Sequence, residues 1–171
     1  MTTKSDQLTE NKLVQKVLAD ALTGNRAHVS PERAFEGITW RDAGLTVQNY
    51  PHTIWQLLKH MNYWQDRLIS RIEGMKVLPA KSSDDGWDFD LSAENEEAYR
   101  RELGKFLTSI DYITQTMLPR ADELKGSKGD YPNGYSVIQT MASHLSYHIG
   151  EVVLVRRMLG LWPPPSGGYS W

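Results

Sequence analysis

His144 and His148 stand four residues apart in a chain of 171 residues that has five histidines and no cysteine. On a helix that spacing places two imidazoles on one face, a turn apart, where both reach the same ion. Without thiolates a metal must be held by His, Asp or Glu, and disulfides and cysteine nucleophiles are excluded at the same stroke. The residues between the pair are Leu145, Ser146 and Tyr147. The Glu that follows the first His in zinc proteases, and serves there as general base, is therefore missing. No Glu-x-x-His motif is paired across helices, so a ferritin-like di-iron site is also absent. A third ligand must come from another helix. His60 is the best placed, at the edge of the apolar stripe that includes Leu57 and Trp64. His52, at a helix start, and His28, in a turn, are weaker candidates. The same pattern without a metal would be a set of core histidines satisfied by hydrogen bonds.

Three neutral nitrogen ligands leave positions open on a tetrahedral or octahedral ion, which is the catalytic arrangement: bound water is made acidic, or a substrate thiol or oxygen is activated. Glu151 follows His148 by three residues on the same face. It is placed to be a further ligand, a partner to an imidazole N–H or a general base, and its alternative is a solvated or arginine-paired carboxylate. Tyr63, Trp64 and Tyr147 are the aromatic residues placed to line a pocket beside the histidines. Arg156 and Arg157, near the end of the same helix, are read as complements to its dipole rather than as an anion site.

Four long helices are needed to bring these residues together. Leu8, Val14, Val17, Leu18, Ala21 and Leu22 recur at helical spacing before Thr23-Gly24-Asn25. Ser30-Pro31-Glu32 opens a short helical turn through Phe35, and a loop runs to Gly44. From Tyr50-Pro51-His52 the stripe Ile54, Leu57, Leu58, Met61, Trp64, Leu68, Ile72 marks a second long helix ending at Gly74. Residues 75–91 show no period; they form a connection long enough for a crossover, with Trp87 and Phe89 expected as anchors. Ser92 and Asn95 to Glu97 start the third helix, whose stripe of Tyr99, Leu103, Phe106, Leu107, Ile110, Ile113 and Met117 stops near Pro119. A polar loop over 125–134 precedes a fourth helix from about Tyr135 to Leu159, apolar on most of its circumference and expected to be the most buried. Trp162-Pro163-Pro164-Pro165, with Gly167-Gly168, makes a tail that is neither helix nor central strand. The reading is an all-α four-helix bundle with one long crossover, in a single domain spanning 1–171.

Composition agrees. At this length roughly 70% of the unfolded chain's surface is buried on folding, enough for one core. Nineteen Lys and Arg against twenty-one Asp and Glu leave a net charge of −2, so nothing favours a nucleic-acid partner. Residues 1–10 lack the apolar stretch of a signal peptide and no apolar run approaches the roughly 18 residues of a membrane span, which places the protein in the cytoplasm.

The run His144-Leu145-Ser146-Tyr147-His148-Ile149-Gly150-Glu151, continuing through Arg156-Arg157-Met158-Leu159-Gly160-Leu161-Trp162-Pro163-Pro164, resembles the signature of the DinB-like, or DinB/YfiT-like, metalloenzymes. That signature is a histidine pair followed by Gly-Gln, an arginine pair and Leu-Gly-x-Trp-Pro-Pro. The segment from His52 to Asp66 is similar to the family's second helix, with His60 in the place of the remaining ligand. Gly24 to Val29 and the terminal Gly-Gly-Tyr-Ser-Trp also look like a branch of the family, so the resemblance covers nearly the whole chain. It implies a four-helix bundle of the mirror up-and-down type and a divalent ion on three histidines, zinc or nickel before iron or manganese. It also implies, in many members, a homodimer. Members with assigned activity include transferases that join low-molecular-weight thiols such as bacillithiol, mycothiol or glutathione to electrophiles, and a thiol-dependent isomerase. The implied function is thiol S-transfer on a small-molecule substrate; the alternatives are a non-catalytic, stress-related metal or small-ligand binding protein and a metal-dependent hydrolase. One position departs: Glu151 stands where the signature has Gln. A carboxylate there would lower the ion's Lewis acidity and raise the pKa of bound water, or would complete an all-protein shell.

Overall fold

Three of the four long helices begin at a side chain built to cap them. Thr53 caps one in a reciprocal box with Gln56, Asn95 caps the next through Ala98 N–H, and Asn133 caps the last in a box with Ser136. Each cap satisfies backbone donors that the first turn leaves free. The computed structural model describes residues 4–25, 27–82, 84–124 and 131–167. Over these the helices are α1 (Lys4–Thr23), α2 (Pro31–Phe35), α3 (Trp40–Ala43), α4 (Ile54–Ile72), α5 (Glu96–Tyr112) and α6 (Gly134–Met158), with no strand among the described residues.

The long helices close a ring. The principal neighbours of α4 are α5 and α6, while α1 lies against α6 and against the turn that continues α5. The connection that crosses the bundle is thus the one from α1 to α4, which carries α2 and α3. Residues 73–95, long enough for a crossover, instead join two helices that pack directly on each other. The core is mostly apolar, with Leu22, Phe35, Leu57, Leu58, Phe106, Ile113, Val137 and Ile149 essentially inaccessible, and it is interrupted by buried polar side chains that include His60, His148 and Arg156.

Several sequence expectations need adjustment. The stretch to Gly44 is not all loop: Thr39 and Asp42 form a capping box around the four-residue α3. Regular helix in α5 ends at Tyr112 and is followed by a widened turn over Ile113–Met117 and a tight one over Leu118–Arg120, where Pro119 cannot continue the ladder. On α1, Val14 and Val17 face outward, 42% and 58% exposed, and Leu18 and Leu22 alone of the expected stripe are fully buried among the described side chains. Helix α6 is not the most buried: it keeps an outer stripe of Tyr147, Leu154 and Met158, and α4 buries as many residues over 19 positions as α6 does over 25. Gly134 opens α6 because a Cβ there would stand 2.5 Å from the Ala121 carbonyl. The expected terminal segment 1–3, most of the 125–134 loop and residues 168–171 of the tail lie outside the described residues. No described helix is long and apolar enough to cross a membrane.

Arg156 joins α6 to the crossing connection. Its guanidinium, 2% exposed, donates to the carbonyls of Leu161, Arg33, Ala34 and Glu36 at 2.7–3.2 Å. It thereby takes up the Ala34 and Glu36 carbonyls at the end of α2, adds a second donor to Arg33 O, which also accepts from Glu36 N–H, and ties down Leu161 in the segment after α6. Trp162 lies against it, 5.3 Å from the guanidinium to the ring centroid. The structural role expected for this arginine is what the contacts provide.

Candidate metal centre

The facing surfaces of α4 and α6 bring three imidazoles to one point. Nε2 of His144 stands 3.3 Å from Nε2 of His60 and 3.1 Å from Nε2 of His148. His60 and His148 are buried and His144 is half-buried. Three nitrogens bound at about 2.0–2.1 Å to one tetrahedral or octahedral cation stand roughly 2.9–3.4 Å apart, and both observed separations fall in that interval. Hydrogen bonding cannot account for the cluster as well. His148 Nδ1 lies 2.6 Å from Glu151 Oε2, so its proton belongs on Nδ1 and its Nε2 carries a lone pair. A single N–H on His144 must then serve both of its neighbours. His60 Nδ1 is buried with no partner. A cation would satisfy the three converging Nε2 atoms at once, though not the outer Nδ1 of His60, and the donor set fits one.

Protonation is suppressed, which ligation requires. Burial, then the neighbouring His148 and His144, push His60 down to about 3, against a weak opposing effect of the Gly86 backbone, which lies nearby but short of hydrogen-bonding geometry. Burial and His148 push His144 down to about 4. His148 is lowered by burial too, with Glu151 acting in the opposite direction. The rings are neutral at physiological pH and present lone pairs.

Of the roles open to Glu151, the geometry shows one: its carboxylate lies behind His148, on the far nitrogen, and is not among the converging atoms. This is the arrangement in which a carboxylate fixes the tautomer and ring angle of a ligand histidine. The Tyr50 hydroxyl lies beside Glu151; burial and that carboxylate raise its pKa.

Trp87 was read from the sequence as an anchor and is more than that. Its indole is stacked between two imidazoles, 3.8 Å from His60 and 3.6 Å from His52 by ring centroids, nearly parallel to both. Gly86 permits the approach: it holds φ +91°, and a Cβ there would stand 2.4 Å from the Tyr63 ring. The loop is tied down by Thr53 Oγ1 donating to Leu91 O and Gln56 Nε2 donating to Asp88 O. Phe89, the other expected anchor, is 97% exposed and anchors nothing. A lone Trp after Gly in a polar loop was the available signal.

The remaining candidates separate clearly. Trp64 meets His60 and His144 edge-on at 6.3 Å each, and Tyr147 meets His148 edge-on at 5.0 Å while staying largely exposed. Tyr63 meets Trp64 at 5.4 Å and packs under Gly86, one layer away from the nitrogens. His52 is outside the cluster, beyond Trp87, and its pKa is lowered by burial. His28 faces the Val29 and Ala21 carbonyls and belongs to the turn after α1.

Comparison with known proteins found no match among curated proteins and none among solved structures. A family model, however, matches residues 11–152, a span that holds all three histidines and Glu151. With that match over most of its length, the chain belongs to the DinB superfamily.

Proposed function

We propose that this protein is a metal-dependent enzyme that transfers a low-molecular-weight thiol to an electrophilic small molecule, using a divalent cation held by His60, His144 and His148. The observation that carries the reading is the cluster's incompleteness. Three imidazole nitrogens converge, and the one nearby carboxylate is engaged behind His148. The protein thus supplies three donors and leaves further positions to what binds there, as catalytic sites do. Zinc or nickel suits an all-imidazole set better than iron or manganese. Such a cation lowers the pKa of a bound thiol, so that it reacts as thiolate.

The chain's own residues have defined tasks. The neutral rings of His60 and His144 bind; Glu151 orients His148; Trp87 and Trp64 keep water from the side of the cluster they cover. No cysteine competes as nucleophile, in keeping with a nucleophile that arrives on the small molecule. The reading extends to a cytoplasmic homodimer acting on small molecules, with neither nucleic acid nor membrane as partner.

Elemental analysis of untagged protein tests the first step. About one equivalent of a divalent metal in the wild type, lost in His60→Ala and in His144→Ala, supports the site; failure to take up zinc or nickel overturns it. Cobalt-substituted protein tests the second step. A thiol-dependent change in its visible spectrum supports transfer chemistry, whereas a spectrum indifferent to every thiol favours a non-catalytic binding protein, and turnover of water alone favours hydrolysis.

A further inference from the structure

A groove of about 390 Å³ lies on the other flank of α4, between that helix, α5 and the turn at 86–89. Trp87 is the wall it shares with the histidine cluster: the same indole that stacks on His60 lines the groove. Both signs of charge face into it, from Lys59, Asp66, Asp88, Glu102 and Lys105. Lys105 and Asp66 are in contact at 2.5 Å. Lys59 is different. Its ammonium forms loose ion pairs, 3.7 Å from Asp88 and 3.9 Å from Glu102, and lies 5.6 Å from the Trp55 ring centroid, but it makes no hydrogen bond among the described residues. Asn62, 3% exposed, donates to the Glu102 carbonyl and carboxylate at 3.0 Å, and its own Oδ1 has no donor. Phe89 stands at the mouth with its ring in solvent.

We infer that this groove seats an α-amino-acid group. Such a group carries a carboxylate and an ammonium on neighbouring atoms. It fits a gap where one lysine lies short of two carboxylates: the ligand's carboxylate accepts from Lys59, and its ammonium donates toward Asp88 or Glu102. A simple anion meets those carboxylates, and a simple cation meets both lysines, so the mixed charge selects against each. The pairs displaced are partly exposed and weak, so exchanging them for ligand contacts costs little. Phe89 and Trp87 cover the ligand's apolar stem. That the groove holds the amino-acid end of the thiol substrate rests on the function proposed above; its preference for a zwitterion does not.

The test uses the ¹⁵N-labelled full chain, with and without added zinc, titrated with S-methyl-L-cysteine, whose thioether cannot act as a thiolate. 3-(Methylthio)propionate and 2-(methylthio)ethylamine each carry one of its two charges. The expected result is amide shifts clustered at 59, 62, 86–89, 102 and 105, with the zwitterion at least about tenfold tighter than either single-charge probe. Lys59→Met then weakens it by about tenfold and Phe89→Ala by about threefold, with unchanged circular dichroism. Equal affinity for all three probes, shifts confined to other surfaces, or no shifts at millimolar probe overturns the inference. A groove that binds in protein unable to hold zinc leaves this inference standing and removes the transfer reading; zinc uptake with a silent groove does the reverse.

Discussion

Helix α6 carries two buried polar centres eight residues apart, and they are built on opposite plans. At Arg156 the protein supplies everything: four backbone carbonyls receive the guanidinium, and a Trp ring covers it. At His148 it supplies too little: three converging Nε2 atoms share a proton or less. Burying polar atoms is costly unless they are paired. A site satisfied from within holds the fold together, and one left short calls for something from outside.

Removing each centre should therefore have opposite consequences. Arg156→Ala strands carbonyls at the end of α2 and in the segment after α6 and is expected to cost about 3–5 kcal/mol, read as a lower urea midpoint with unchanged slope. In metal-free protein, His144→Ala is expected to move the same midpoint by less than about 1 kcal/mol. Comparable losses in the two variants would erase the distinction.

A smaller effect separates the ligands from their support. Glu151→Gln keeps the fold and, by losing the charge that holds His148, should weaken zinc binding by about 10- to 100-fold in a competition titration. An unchanged affinity would make the carboxylate a bystander, and complete loss would make it a ligand.

The last effect vanishes at neutral pH and appears only in acid. His60 and His144, at about 3 and 4 in the folded protein, lie below their ordinary value of 6.5. The unfolded chain binds protons first, so the stability tied to their neutral forms is complete above about 6.5 and is lost as pH falls from there to about 4 for His144 and about 3 for His60. Each contributes a slope of up to about 1.4 kcal/mol per pH unit in that window. Metal-free His60→Gln should flatten the acid limb of a melting-temperature profile, and an unchanged limb would place the sensitivity elsewhere.

The two centres were unequally legible in the sequence. His144 and His148 announce themselves because helical periodicity turns a spacing of four into proximity, and His60 sits on a stripe whose inward side is clear from Leu57 and Trp64. Periodicity says nothing about a loop, so Trp87 could be recognised as an anchor but not as stacked on a candidate ligand. Phe89 shows the reverse error: an aromatic in the same loop, with the same expectation of anchoring, has its ring in solvent. Three of the four partners of Arg156 lie more than 100 residues away, and since they are backbone carbonyls no residue type marks them. The outward turn of Val14 and Val17 escaped for a related reason: a stripe of apolar residues fixes a face without saying how much of it a neighbour covers.

The ring of helices also has a consequence in time. Its first and last members are neighbours, and Gln15 reaches Pro119 and Tyr135, residues 104 and 120 positions away. The α4–α5 pair can form early from nearby segments, whereas α6 must dock on α1 and α4 across most of the chain, and His60 meets His144 over a separation of 84. Loop closure of that length comes late and slows folding relative to a bundle of sequential hairpins. A cation held by these histidines would therefore be taken up after folding rather than seed it.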